Sequence, residues 1–357
     1  VSHDPDTGAE VTRLTPPEVT CHRNYFYQKC FFNDGSHLLF AGEFDGHWNY
    51  YLLNIASAEA VQLTEGAGDN TFGGFLSPDD KSLYYVKNDR ILLEVNLTTL
   101  AEREVYRVSD DWVGYGTWVA NSDFHDFFHK GPHCRLLRVD LRSGESQVIH
   151  EEKIWLGHPI YRPFDDHTVA FCHEGPHDLV DARMWLVNED GSHVRKVKAH
   201  APGESCTHEF WVPDGSALIY VSYLKGQQGR TIYRFDPESG VNEALMTMPA
   251  CSHLMSNFDG TLLVGDGSGT PVDVKDTGGY SIDNDPWLYV FNVAEKRYFR
   301  VARHDTSWAT VANSRQVTHP HPSFTPDDSA ILFSSDKDGK PAIYIAKLPA
   351  HPSMLSA

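Results

Sequence analysis

Two histidines in the run Gln316-Val-Thr-His319-Pro-His321-Pro322 stand at i and i+2. In an extended segment that spacing puts both imidazoles on one face. The two prolines fix φ and bias the residues before them toward extended conformations, which holds the pair rigid. Gln316 can turn an amide oxygen toward the same point. Imidazoles with a neutral oxygen and no thiolate suit a divalent ion of intermediate hardness, with positions left for water or substrate. Zn²⁺ on three histidines is a second fit to the same residue types.

A partner for this pair emerges from the elements that must position it. Seven times an apolar strand runs into an acidic turn and out into another strand. The turns are Asn33-Asp34-Gly35, Pro78-Asp79-Asp80, Asn121-Ser122-Asp123, Phe164-Asp165-Asp166, Pro213-Asp214-Gly215, Phe258-Asp259-Gly260 and Pro326-Asp327-Asp328. They recur at mostly 43–49 residues, with one gap of 68 before the last. Such a period with β-type flanks reads as one propeller blade per repeat. The expected fold is therefore all-β: a seven-bladed β-propeller forming a single domain over residues 1–357. The last repeat stops after its third strand, and residues 10–15 read as the missing fourth, so that both termini close the ring. A Gly-, Asp- and Pro-rich insertion from Gly265 to about Asp285 reads as a loop or surface arm.

Counting back from the turn aspartates, His208, His253 and His321 each lie six residues before Asp214, Asp259 and Asp327. They share one register at the start of the innermost strand, and in a propeller those starts converge at one end of the channel. Three imidazoles from adjacent blades are thus expected in one funnel. Most of the other histidines among the 20 are expected to be solvated or bonded to backbone. Arg90, Arg183 and Arg230 sit at the third strands of their repeats. Two of them read as scaffold; Arg183, after the long loop from Glu174 to Ala182 and one blade from His208, reads as a substrate contact.

A net charge of −19 argues against nucleic acid, which requires a clustered basic face. No stretch approaches the roughly 18 apolar residues of a membrane span, and the opening residues carry no apolar run of a signal peptide. The six cysteines show no CxxC spacing and read as buried thiols of a reducing cytosol. No GxSxG elbow is present, which excludes propeller-capped serine peptidases. The Gly265-Asp-Gly-Ser-Gly269 run precedes no helix pattern, so it offers no phosphate site.

The segments Ser252-His253-Leu-Met-Ser-Asn257, Val264-Gly-Asp-Gly267 and Arg315-Gln316-Val-Thr-His319-Pro-His321-Pro-Ser-Phe-Thr325 resemble the oligogalacturonate lyase family, and the resemblance spans essentially the whole chain. It implies that His253, Gln316, His319 and His321 hold a Mn²⁺-like ion. His208 matches the Brønsted base, and Arg183 the arginine that assists at the substrate carboxylate. The implied reaction is β-elimination on short oligogalacturonates, digalacturonate and trigalacturonate, in the cytoplasm during pectin degradation. The acidic surface agrees with this, since it repels a long polyanion but leaves room for a short one on a local positive site. A non-catalytic interaction propeller and a metal-dependent hydrolase are the rival readings; the oligomeric state is not legible.

Overall fold

The computed structural model describes residues 1–68, 73–109, 134–175, 180–224, 229–249, 251–268, 285–311 and 317–349. These residues fall into two compact bodies, one formed by 1–27 with 201–357 and the other by 28–200.

In the second body the strands form successive antiparallel meanders. His37–Gly42, Asn49–Asn54 and Ala60–Gln62 pair in order, followed by Phe75–Leu76, Ser82–Lys87, Ile91–Asn96 and Glu102–Arg107. The hairpin Cys134–Val139 with Ser146–Glu152 comes next, then Trp155–Tyr161, Thr168–Glu174, Met184–Asn188 and Arg195–Lys196. The hairpin stands where the third repeat was expected. The turn Asn121-Ser122-Asp123 and the strands flanking it lie outside the described residues.

The first body repeats the pattern. Glu204–Trp211, Leu218–Leu224, Arg230–Phe235 and Asn242–Met248 form one meander. Cys251–Ser256, Leu262–Gly267, Trp287–Asn292 and Arg297–Arg303 form the next. The last has Ser323–Phe324, Ala330–Ser335 and Ala342–Lys347, and its outer strand comes from the N-terminal segment: Val11, Thr12 and Arg13 pair with Ala346, Ile345 and Tyr344. Ser2–His3 adds a further strand outside Glu10–Arg13, which the sequence did not suggest.

The acidic turns have one physical cause. In each of the six described, the first Asp carboxylate accepts the amide two residues on: Asp34 from Ser36, Asp79 from Lys81, Asp165 from His167, Asp214 from Ser216, Asp259 from Thr261 and Asp327 from Ser329, at 2.8–3.3 Å. An Asx turn of this kind reverses the chain without help from elsewhere in the fold. Hydroxyls in the same turns add a second bond, as from Ser77 to Asp79 (2.7 Å) and Thr325 to Asp327 (2.7 Å). Those donors hold the Asp79 carboxyl down to about 2. A carboxyl lowered on folding stabilises fully above its unfolded value near ~3.9, and the benefit is lost as pH falls through the folded value. The difference in Tm between wild type and Asp79→Ala is therefore expected to be constant from pH 7 to 5 and to narrow between about pH 4 and 2. A gap unchanged at pH 2 would contradict the assignment.

Strand alternation is weak because most strands are covered on both faces. Ala330–Ser335 is buried throughout. Its Ile331 and Phe333 join Val264, Leu288, Val290 and Phe299 of the preceding meander, with Val11 from the N-terminal strand, in one core. In the other body Leu136 and Ile149 of the hairpin meet Leu156, Val169 and Phe171 of the next meander in the same way. No disulfide joins the cysteines, and burial pushes the Cys21 thiol up to about 12. Among the described residues no helix is long and apolar enough to cross a membrane.

Candidate metal centre and its surroundings

The hydrogen-bonded ladders fix the register of the histidines better than the turns do. The amide that opens each turn belongs to Phe32, Ser77, Arg162, Val212, Asn257 or Thr325, and it bonds across the turn at 2.8–3.0 Å. Four residues before these stand Gln28, Gly73, His158, His208, His253 and His321. The expected trio is present, and His158 joins the series. It was hidden because its turn is one residue longer, so that it lies seven residues, not six, before Asp165. In three of these meanders the sheet register skips this place: the ladders shift between Gly157 and Ile160, Thr207 and Phe210, and Cys251 and Leu254. His158, His208 and His321 adopt left-handed φ of 48°, 55° and 46°. A non-glycine residue held there is strained, and such strain concentrates at functional sites.

The innermost strands Glu204–Trp211, Cys251–Ser256 and Ser323–Phe324 are neighbours in order. The second of them and the segment that leads into the third bring three imidazoles together. His321 Nε2 lies 3.2 Å from His253 Nε2 and 3.2 Å from His319 Nδ1, and the three nitrogens all fall within 4.8 Å of one another. Two nitrogens sharing one ion at about 2.1 Å are separated by roughly 3.0 Å at a right angle and about 3.4 Å at a tetrahedral one. The observed spacing lies between these values, so the rings fit a shared divalent cation.

The His319 and His321 rings are kept neutral. Burial, reinforced by the neighbouring His253, brings His319 down to about 3 and His321 well below its ordinary value. His319 keeps an accessible edge, whereas His253 and His321 are buried. Neutral imidazoles with bare nitrogens are what a metal requires.

The support around them comes from several elements. Asp266, on the strand Leu262–Gly267, takes the His253 amide on Oδ1 (2.6 Å) and His253 Nδ1 on Oδ2 (2.9 Å). Burial alone would raise this carboxyl, but the His253 ring and amide outweigh it and bring it below the usual range. The buried Arg23 donates to the His321 carbonyl (2.6 Å) and to Ser323 Oγ (2.7 Å), fixing the backbone at the strained residue. Phe26 and Tyr25 pack on His321 and Trp308 on His319, with centroids 5.1–5.9 Å apart. This apolar collar lowers the local dielectric and strengthens any charge interaction inside it.

His208 is half-exposed, with its ring centroid 5.4 Å from that of His253. Its Nδ1 lies 3.0 Å from Thr207 Oγ1. It borders the three-nitrogen cluster without belonging to it. Gln316 lies outside the described residues. The expected loop from Gly265 needs correction: Gly265, Asp266 and Gly267 belong to a strand, and only the part from 269 to 284 lies outside the described residues.

In the body of residues 28–200, Arg183 is gripped by Glu174 through two parallel bonds of 2.9 Å, and its amide donates to His200 Nε2 (3.2 Å). His158 Nε2 stands 3.9 Å from the same carboxylate. A bidentate pair of this sort fixes a guanidinium's plane and direction. Arg230 bonds to the Cys251 carbonyl and Arg90 to that of Ser109 (2.9 Å), which agrees with scaffold roles for both.

A family model described as oligogalacturonate lyase matches residues 1–125 and 123–352. The oligogalacturonate lyase of Dickeya dadantii (strain 3937) is 65% identical over 97% of this chain and 95% of its own length. The chain belongs to the oligogalacturonate lyase family. As a member it is an enzyme of the lyase class. A solved oligogalacturonate lyase in complex with manganese is 62% identical, with a TM-score of 0.89 over 98% of this chain and 96% of that one. A β-propeller domain of Cps50 from Myceliophteria thermophila, 9% identical, aligns with a TM-score of 0.55 over 91% of this chain and 98% of that domain. The architecture of this oligogalacturonate lyase family member is thus an all-β propeller.

Proposed function

We propose that the chain cleaves short oligogalacturonates, digalacturonate and trigalacturonate, by β-elimination, yielding 4,5-unsaturated uronates during pectin degradation in the cytoplasm. The observation that carries this reading is the convergence of the His253, His319 and His321 rings, with His321 Nε2 3.2 Å from a nitrogen of each of the other two, in a member of this lyase family. His253, His319 and His321, joined by Gln316, would hold Mn²⁺ or another divalent cation. Such an ion, when bound, supplies Lewis-acid charge at the substrate carboxylate, where charge accumulates as the adjacent carbon loses its proton.

His208 is the group assigned to that proton, which sits on carbon 5. A neutral imidazole can accept it, and a positioned base contributes roughly 10²–10⁴-fold. The glycosidic oxygen on carbon 4 then leaves with the bonding electrons, and the double bond forms between carbons 4 and 5. Arg183, held in place by Glu174, is assigned to a substrate carboxylate, which it would reach by exchanging part of that pair. The whole chain is read as one seven-bladed propeller, its ring closed through the N-terminal strand on Ala342–Lys347; the pairing of Val11 with Ala346 supports this closure.

Digalacturonate turnover followed in the ultraviolet tests the proposal. The conjugated double bond of an elimination product is expected to absorb, and a chelator is expected to abolish the rise until Mn²⁺ is restored. Reducing sugar released without new absorbance would identify a hydrolase instead. No turnover together with no stoichiometric metal would identify a binding propeller.

A further inference from the structure

We infer that Asp266 is a positioning residue that sets the tautomer of His253 and so its strength as a metal ligand; the inference rests on the metal-centre reading proposed above. Both carboxylate oxygens are committed to this one residue, Oδ1 to its amide and Oδ2 to its Nδ1. A carboxylate accepts and does not donate, so the ring proton is placed on Nδ1. The lone pair is left on Nε2, the nitrogen that faces His321 Nε2 at 3.2 Å. A carboxylate behind a ligating imidazole fixes the ring's orientation and raises its basicity.

The surroundings are arranged for this contact. Asp266 is fully buried, and a charge in that position is tolerated only when it is paired and hydrogen-bonded. Its flanking residues are glycines for steric reasons. A Cβ on Gly265 would lie 3.2 Å from the His253 carbonyl oxygen and 3.2 Å from Cys251 Sγ. A Cβ on Gly267 would lie 2.5 Å from the Asp285 carbonyl oxygen. A larger residue at Gly265 would press on the strand that carries His253, and one at Gly267 on the chain at Asp285 that leads into Trp287–Asn292. Beside Asp266 the buried His304 donates through Nε2 to the Gly267 carbonyl (3.1 Å) and the Asp285 carbonyl (3.2 Å), while its Nδ1 accepts the Thr306 amide (3.1 Å). With both nitrogens engaged by backbone, His304 stiffens the end of the Asp266 strand.

Asp266→Asn isolates the electronic role, because it is isosteric. Both groups of His253 donate, yet an amide offers one acceptor and one donor. With its oxygen toward Nδ1, the NH₂ meets the His253 amide head-on. Flipped, the NH₂ meets Nδ1 and drives the ring proton to Nε2, which removes the ligand lone pair. Mn²⁺ titrated into the full-length Asn variant and read by the electron paramagnetic resonance of unbound Mn²⁺ is expected to show a Kd raised about 10–100-fold. In the wild-type protein, ring ¹⁵N resonances are expected to show His253 protonated at Nδ1 and bare at Nε2. That second measurement stands even if the variant fails to fold. A folded Asn variant that binds Mn²⁺ as tightly as wild type, or a wild-type His253 protonated at Nε2, overturns the role of Asp266 alone. Wild-type protein that binds no Mn²⁺ overturns the metal centre and this inference together.

Discussion

His208→Ala is expected to lower kcat for digalacturonate by about 10²–10⁴-fold while the bound metal stays in place. The expectation follows from where the ring lies. It borders the three converging nitrogens and is not one of them, and it is half-exposed where they are mostly enclosed. Its Nδ1 lies against the Thr207 hydroxyl. Removing it should therefore change the rate and not the coordination. Turnover by ultraviolet absorbance, with metal content by plasma mass spectrometry on the desalted protein, checks both halves. Loss of metal would move His208 into the ligand set. A fall of less than tenfold would place the base elsewhere.

His319→Ala is expected to do the opposite and remove metal and activity together. An outer partner of a ligand is typically worth 10–100-fold in affinity, so deleting a ligand should cost more than about 100-fold. His319 is the better choice for this test than His321. The latter is buried, strained, and tied through its carbonyl to Arg23, so its loss would mix folding with binding. His319 has an accessible edge, and water can enter the gap. Titration of the variant with Mn²⁺ should show no tight site, and turnover at micromolar Mn²⁺ should be undetectable. Tight binding retained by His319→Ala would strike it from the coordination sphere.

The parts of this arrangement that depend on local chemistry were readable from the residues. Among the described residues each turn aspartate bonds an amide two positions on, so the turns mark the repeat without any knowledge of the fold. The shared register of His208, His253 and His321 follows from that repeat. His158 escaped the count because Phe164-Asp165-Asp166 adds a residue, a difference that the hydrogen-bond ladder shows and spacing does not. Asp266 was read as part of a loop, since glycines on both sides weaken a strand pattern. Its value lies in a partner 13 residues away across a register shift, and no periodicity encodes that. Arg23 was missed for a like reason, because its carbonyl partner on His321 is 298 residues distant. Glu174 was noticed only as the first residue of a loop, although it is what orients Arg183.

The step four residues ahead of each turn has a bearing on how this scaffold changes over time. In three of the meanders it falls where the ladder shifts, so the residue there is released from the regular backbone pairing of its strand. Gln28 and Gly73 occupy the same step elsewhere, which indicates how little the sheet demands of it. A single codon change at the half-exposed step of His208 exchanges one reactive group for another, whereas at His253 or His321 it also disturbs buried contacts. Divergence toward other substrates then proceeds by swapping headgroups on a fixed rack, with no need to insert new loops or rebuild a blade.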